Sequence, residues 1–526
     1  MSYTSFSFIL IFFAITYILH SVMPQKYKWL VLFAGSWSFY IISTKGHIIP
    51  LLISTVAIWI TGLNIQRLAD EFKEKRKGLE KAERKALKEK YNKKKRVFVL
   101  IGILVPLSLL LFLKYCNFFT GTVNGIFGTA IPELSLVHPM GLSFYTLQAI
   151  SYIADVNAGK VKAEKNPFRI SLYLSFMLTV VEGPIARFDS FGVQLWNSKR
   201  VERKDFDYGV QLILLGFFKK VVMADRVSGL CDEIFGNFDD HLADGGLLIV
   251  IAIVFYTIQL YCDFSGIMDV VTGMGKLMGL ELPKNFEQPF FAISINNFWQ
   301  RWHISLGQWL RDYIFYPISL SKPFMKLSKS TRKKLTPYYA TLIPSASALF
   351  FVWFANGFWH GASWKYICYG LYYYVLMLIG MLFEPLFEKI RKTFKLRKES
   401  LPYRIFQILR TDVIVAVGMF LFRAESLSAF FKMFRAIFTS FSVSAAIEQG
   451  GKYGIGVKDL LVIFMGVVFL FAISLLREMK FNLAERITNL PAFVKFILHV
   501  LALMIIIILG AYGEGYGIKD LIYAGF

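Results

Sequence analysis

Two short stretches carry the residue types from which chemistry could be built. Residues 290–317 read FFAISINNFWQRWHISLGQWLRDYIFYP and contain His303; residues 356–364 read NGFWHGASW and contain His360, fifty-seven positions later. Imidazole titrates near neutral pH, so it can take a proton from a hydroxyl and return it to a leaving group. Around His303 stand Trp299, Arg301, Trp302, Trp309, Arg311 and Asp312, and Tyr261-Cys-Asp-Phe-Ser-Gly266 supplies Asp263 at the end of an apolar run. One arrangement is a buried network in which Asp263 or Asp312 neutralises Arg301 or Arg311 around a polar cavity. The same residues also fit charges and a Trp/Tyr belt at a membrane interface, and the pattern alone leaves both open. Asn356 precedes His360 by four residues and could orient one imidazole nitrogen; Gly361 leaves room for a substrate near the ring. His20, His47, His138 and His499 read as helix–helix hydrogen-bonding residues.

The elements that must position these side chains are membrane helices. The chain of 526 residues is 56% hydrophobic and 17% aromatic. Charge-free windows such as Val97–Leu113, Gly246–Cys262 and Leu460–Leu476 approach the roughly 20 apolar residues that a helix needs to cross a bilayer. Apolar runs this continuous are not barrel strands. An all-α polytopic protein follows, and an ionisable group at such depth needs a partner or a task.

A formal charge of +23 would suit nucleic acid, but its distribution argues against that. Residues 66–96 hold fourteen Lys/Arg and six Asp/Glu in the Lys/Glu pattern of an exposed helix. Further cationic clusters, Lys199–Lys204, Lys322–Lys334 and Lys389–Arg404, lie between apolar spans, where the positive-inside rule places them in the cytoplasm. The four cysteines are scattered and read as reduced packing residues; no metal site is indicated.

Placing the basic clusters on one side gives spans near 5–22, 29–44, 47–65, 97–113, 140–156, 208–224 and 246–270, then 338–355, 365–384, 405–422, 460–476 and 492–512. Residues 170–187 and 283–320 read as re-entrant or protein-buried, for a total of about 11–13 transmembrane or re-entrant helices. One membrane domain over 1–526 is expected, with both termini outside a plasma membrane and 66–96 as a cytoplasmic basic helical segment.

Several motifs, in order along the chain, resemble the membrane-bound O-acyltransferase family. They are MGLSFYTLQAISYIADV (140–156), EGPIARF (182–188), YCDFSG (261–266), LPKNFEQPF (282–290), NFWQRWHISLGQWLRDYIFYP (297–317) and NGFWHGASW (356–364). The nearest branch contains the alginate O-acetylation membrane protein and the D-alanyl transfer protein of teichoic acid synthesis. The resemblance implies helices around a central tunnel with a histidine midway. His360 matches the family's catalytic histidine and His303 the histidine of the W-H-I-S motif, with Asn356, Trp302, Arg301, Asp263 and Trp359 as tunnel or support residues. Ile267-Met268-Asp269 departs from the usual Tyr-Ser-Asp, and Asn296-Asn297 stands where many members have an Asp, which bears on substrate and subgroup.

The activity so implied is O-acetyl transfer from a cytoplasmic thioester, acetyl-CoA as a donor substrate and not a bound cofactor, toward an exported polysaccharide. An extracytoplasmic O-acetyltransferase would be the partner, in a lipid membrane and without nucleic acid. The ending Leu521-Ile-Tyr-Ala-Gly-Phe526 resembles the branch's aromatic F-x-Y-x-x-F tail, which implies Tyr523 as an acyl relay. Rivals are D-alanyl transfer to teichoic acid and, from another class, a transporter or flippase.

Overall fold

The computed structural model describes residue 5 and residues 7–512, apart from 244, 396, 398 and 453–455. Among the described residues the regular structure is helical, and eight helices are long and apolar enough to cross a membrane. Shorter apolar helices add to these: Ser7–Val22, Lys28–Ser43 and Leu142–Ala158. The protein is a polytopic helical membrane protein. Large apolar side chains on these helices, such as Leu104, Val413, Phe464 and Ile508, are exposed, as lipid contact requires.

Two compact units make up the chain. The first comprises residues 1–209 and 274–283, the second residues 210–273 and 284–526.

In the first unit Ile49–Lys75 turns back into Lys81–Phe127, and both pack on Leu142–Ala158. The basic segment is therefore not a separate exposed helix. It is shared between the end of one span and the start of the next, because Lys, Arg and Glu are good helix formers that let each span continue past its apolar part. A capping box between Glu80 and Glu83 starts the second of these helices, which runs 47 residues and carries Pro106 in its interior. Tyr91 in this helix donates to Glu71 across the turn at 3.2 Å.

The ambiguous stretch 170–187 divides in two. Pro167–Ser175 is a helix capped by Asn166, and residues 176–186 are buried but not helical. Buried irregular backbone is tolerated where the protein supplies its hydrogen bonds. Here Ser36 Oγ accepts from the Met177 amide at 3.2 Å, and the Ala186 carbonyl accepts from Tyr173 at 2.9 Å.

In the second unit the long helix Pro337–His360 is followed after three residues by Trp364–Leu382, and the two form an antiparallel hairpin. A Cβ on Gly357 would run into the Tyr366 carbonyl, and one on Gly370 into the Trp353 carbonyl, so these glycines let the two backbones close together. Leu401–Arg423 packs on the second arm. The segment expected to be too polar for a simple span breaks into short helices, Ile295–Arg301 and Ile304–Leu310, followed by a π-helical turn at Arg311–Phe315. These short helices pack against the hairpin and Leu401–Arg423.

Candidate active site

The site is built around a sharp turn between the two short helices. His303 occupies it with φ 46° and ψ 50°, a left-handed conformation that costs a non-glycine residue about 1–2 kcal/mol. The connector 285–288 holds this turn in place. Phe286 and Trp302 pair as an isolated antiparallel bridge, the Glu287 amide donates to the Arg301 carbonyl at 2.9 Å, and the Ile304 amide donates to the Asn285 carbonyl at 3.0 Å. Gln288 is itself left-handed, at φ 41°.

The Asn285 side chain fixes the imidazole. Its Oδ1 accepts from the Ser305 amide at 3.1 Å and from Ser305 Oγ at 2.9 Å, and lies 3.3 Å from His303 Nδ1. A backbone N–H can only donate, so the amide atom facing it is the oxygen. His303 Nδ1 must then carry the hydrogen, and the neutral ring presents its lone pair at Nε2.

Both histidines are buried, His303 at 2% and His360 at 3% exposure. The rings are near neighbours. Trp359 meets His303 edge-on with ring centroids 5.7 Å apart and meets His360 at 5.0 Å. Phe264 also packs edge-on against His303, at 4.8 Å. His360, the last residue of its helix, also packs edge-on against Tyr369 at 5.7 Å and Phe422 at 5.3 Å.

A cavity of about 370 Å³ adjoins this cluster. Its wall includes His303, Trp302, Trp353 and Asn356, with Gln308 and Arg311 contributing polar groups. His360 is not among the residues of that wall; Trp359 packs against both its ring and that of His303. Such a chamber can hold a small acyl group and its acceptor against one imidazole, with a second imidazole one aromatic ring away.

Several expectations change. Arg301 pairs with Glu478, not with Asp263, because Asp263 is taken by Lys220 at 2.6 Å. Lys220 also bonds Asp225 at 2.8 Å, and its neighbour Lys219 bonds Asp269 at 2.6 Å. Both lysines sit on a π-helical stretch, Phe218–Ala224, and both are buried. Asp263 is the residue before Phe264, whose ring packs against His303. Arg311 does pair with Asp312, at 3.0 Å. Asn356 makes no hydrogen bond to His360 among the described residues; it faces the cavity with its amide nitrogen unpartnered. Gly361 does not admit a substrate, because the Tyr366 ring fills the space that its Cβ would take. Trp302 lines the cavity and stacks on Phe298 at 5.4 Å. Tyr523 lies outside the described residues.

Sequence reasoning missed Asn285, Glu478 and Lys220. Asn285 left a signal, lying in the short polar stretch between Pro283 and Pro289. Glu478 left none, since it meets Arg301 across a long stretch of chain, and the Lys220–Asp263 pair spans two different helical elements.

Fold and site together define a multi-pass membrane protein whose buried histidines share one aromatic cluster. Comparison with known proteins narrows this. The profile of the membrane-bound O-acyltransferase family matches residues 162–410. A probable alginate O-acetylase of Pseudomonas putida is 30% identical over 378 residues, covering 71% of this chain and 71% of the relative. The peptidoglycan O-acetyltransferase of Helicobacter pylori is 28% identical over 372 residues, covering 66% and 65%. The teichoic acid D-alanyltransferase of Bacillus subtilis is 28% identical over 298 residues, covering 56% and 71%. Among the alginate relatives the matched part spans from 62% to 71% of their own length. This chain belongs to the membrane-bound O-acyltransferase family.

Proposed function

We propose that the protein is an O-acetyltransferase that moves an acetyl group from a cytoplasmic thioester to an acceptor hydroxyl, for O-acetylation of an exported polysaccharide. The observation that carries this reading is the contact of both imidazoles with one indole, Trp359, with His303 on the wall of a cavity. The hydroxyl oxygen attacks the thioester carbonyl, its proton passes to an imidazole, the C–S bond breaks, and the proton leaves with the thiol. His360 is the base in this scheme, and His303 orients the acceptor hydroxyl by accepting a hydrogen bond at Nε2. The cavity wall favours a second distribution of roles, with His303 Nε2 as the base and His360 in support. Acetyl-CoA is the donor, drawn to the cationic cytoplasmic loops by its phosphates. Both chain termini face outward, and Tyr523 carries the acetyl group as an ester to an extracytoplasmic transferase.

The test uses membranes containing the full chain and labelled acetyl-CoA. Label on the C-terminal peptide, located at Tyr523 by mass spectrometry, supports the relay; label transfer that survives Tyr523→Phe removes it. The likeness to a D-alanyltransferase favours one alternative cargo. Transfer from a D-alanyl carrier protein and none from acetyl-CoA would establish that cargo.

A further inference from the structure

Glu478, on a helix that contains none of the sequence motifs, closes a charge clamp two residues from His303. It ends Val457–Glu478 and is 15% exposed at its side chain. Its Oε1 accepts from Arg301 Nη1, and its Oε2 lies 3.6 Å from Arg404 Nη2, at the start of Leu401–Arg423. Arg301 Nη1 also donates to the Gln288 carbonyl at 3.2 Å. One guanidinium therefore ties together the carboxylate and the left-handed connector residue.

The backbone of the same arginine continues the chain of contacts. Its carbonyl receives the Glu287 amide, the next pair along is the Phe286–Trp302 bridge, and beyond that Asn285 holds His303 Nδ1 and the Ser305 amide. Two non-glycine residues with positive φ, Gln288 and His303, flank this small ladder. Such conformations persist only where surroundings over-determine them, and among the described residues Glu478 is the carboxylate that anchors the Arg301 end.

We infer that Glu478 is a positioning residue: through Arg301 it holds the left-handed turn that aims His303 into the cavity. The inference deepens the acyl-transfer reading and rests on it for the kinetic arm of its test. Replacing Glu478→Gln keeps the shape but removes the negative charge that pairs with Arg301 and Arg404, and Glu478 is not on the cavity wall.

The experiment compares wild-type protein, Glu478→Gln and Glu478→Asp as full chains in proteoliposomes. Acetyl transfer from labelled acetyl-CoA gives kcat and KM, and diethylpyrocarbonate modification of His303, followed by peptide mass spectrometry, gives the ring's exposure without reference to activity. Glu478→Gln is expected to lower kcat about 10- to 100-fold with KM within twofold, and to raise His303 modification several-fold while His360 is unchanged. Glu478→Asp keeps the charge and should stay within about fivefold of wild-type kcat. Should Glu478→Gln fail to accumulate, Arg301→Lys, which loses the forked donor set, should show the same two changes. A Glu478→Gln protein with wild-type kcat, or with lowered kcat and His303 as protected as before, overturns the inference. Wild-type protein that transfers no acetyl group overturns the functional reading instead, and the modification arm still decides the role of Glu478.

Discussion

Removing the Asn285 carboxamide by Asn285→Ala tests how His303 is held. The Oδ1 atom receives three donors: the Ser305 amide, the Ser305 hydroxyl and His303 Nδ1–H. The hydroxyl can rotate to another acceptor, but the amide and the ring nitrogen are fixed. A buried donor that loses its partner costs about 1–3 kcal/mol, so two give roughly 2–4 kcal/mol after partial relaxation. Part of that loss falls on stability. The remainder appears as a ring no longer fixed in tautomer or direction, and misplacement of about 1 Å at a reacting group costs on the order of 100-fold in rate. Ser305→Ala removes only the mobile donor and should cost under about tenfold. The assay pairs single-turnover acetyl transfer with thermal melting of the detergent-solubilised protein. An Asn285→Ala protein within threefold of wild-type kcat and with an unchanged melting temperature would refute the reasoning.

Other predictions concern the remaining parts of the site. His360→Ala should lower turnover by about 10²–10⁴-fold in a protein that still folds, with a lowered melting temperature because the buried ring packs against Trp359, Tyr369 and Phe422; activity near normal removes His360 from the chemistry. Gly357→Ala should lower stability by about 1–3 kcal/mol, read as an earlier melt, since the new methyl meets the Tyr366 carbonyl and pushes the hairpin apart. Lys220→Met should cost about 3–5 kcal/mol, because it leaves Asp263, 1% exposed, buried without its cation. An unchanged melt for Lys220→Met would mean that the ion pair does not stabilise the fold.

Much of this molecule was legible from its sequence, and the reasons are local ones. Gly246–Leu277, Val457–Glu478 and Ala492–Leu509 announced themselves because long, mostly apolar stretches admit few alternatives. The motif histidines were found by residue type and neighbours, and the structure brings both to Trp359. Partner choice was not legible. Arg301 and Glu478 are 177 positions apart, and no local pattern distinguishes that carboxylate from Asp263 or Asp312. The glycines misled for a related reason: Gly361 was read as space for a substrate, when only the tertiary fold shows that Tyr366 fills it. The extent of the basic segment was visible, but not its division between two continuous helices, because the Lys/Glu pattern suits a separate surface helix equally well.

The account turns on His303 and His360 acting as one reacting unit. Acetyl transfer measured for His303→Ala, His360→Ala and the double variant tests this directly, since residues that act together do not lose rate independently. The double variant is expected to be no slower than the worse single variant, within about threefold. Losses that multiply in the double variant, or a double variant that still transfers acetyl at the wild-type rate, would contradict it.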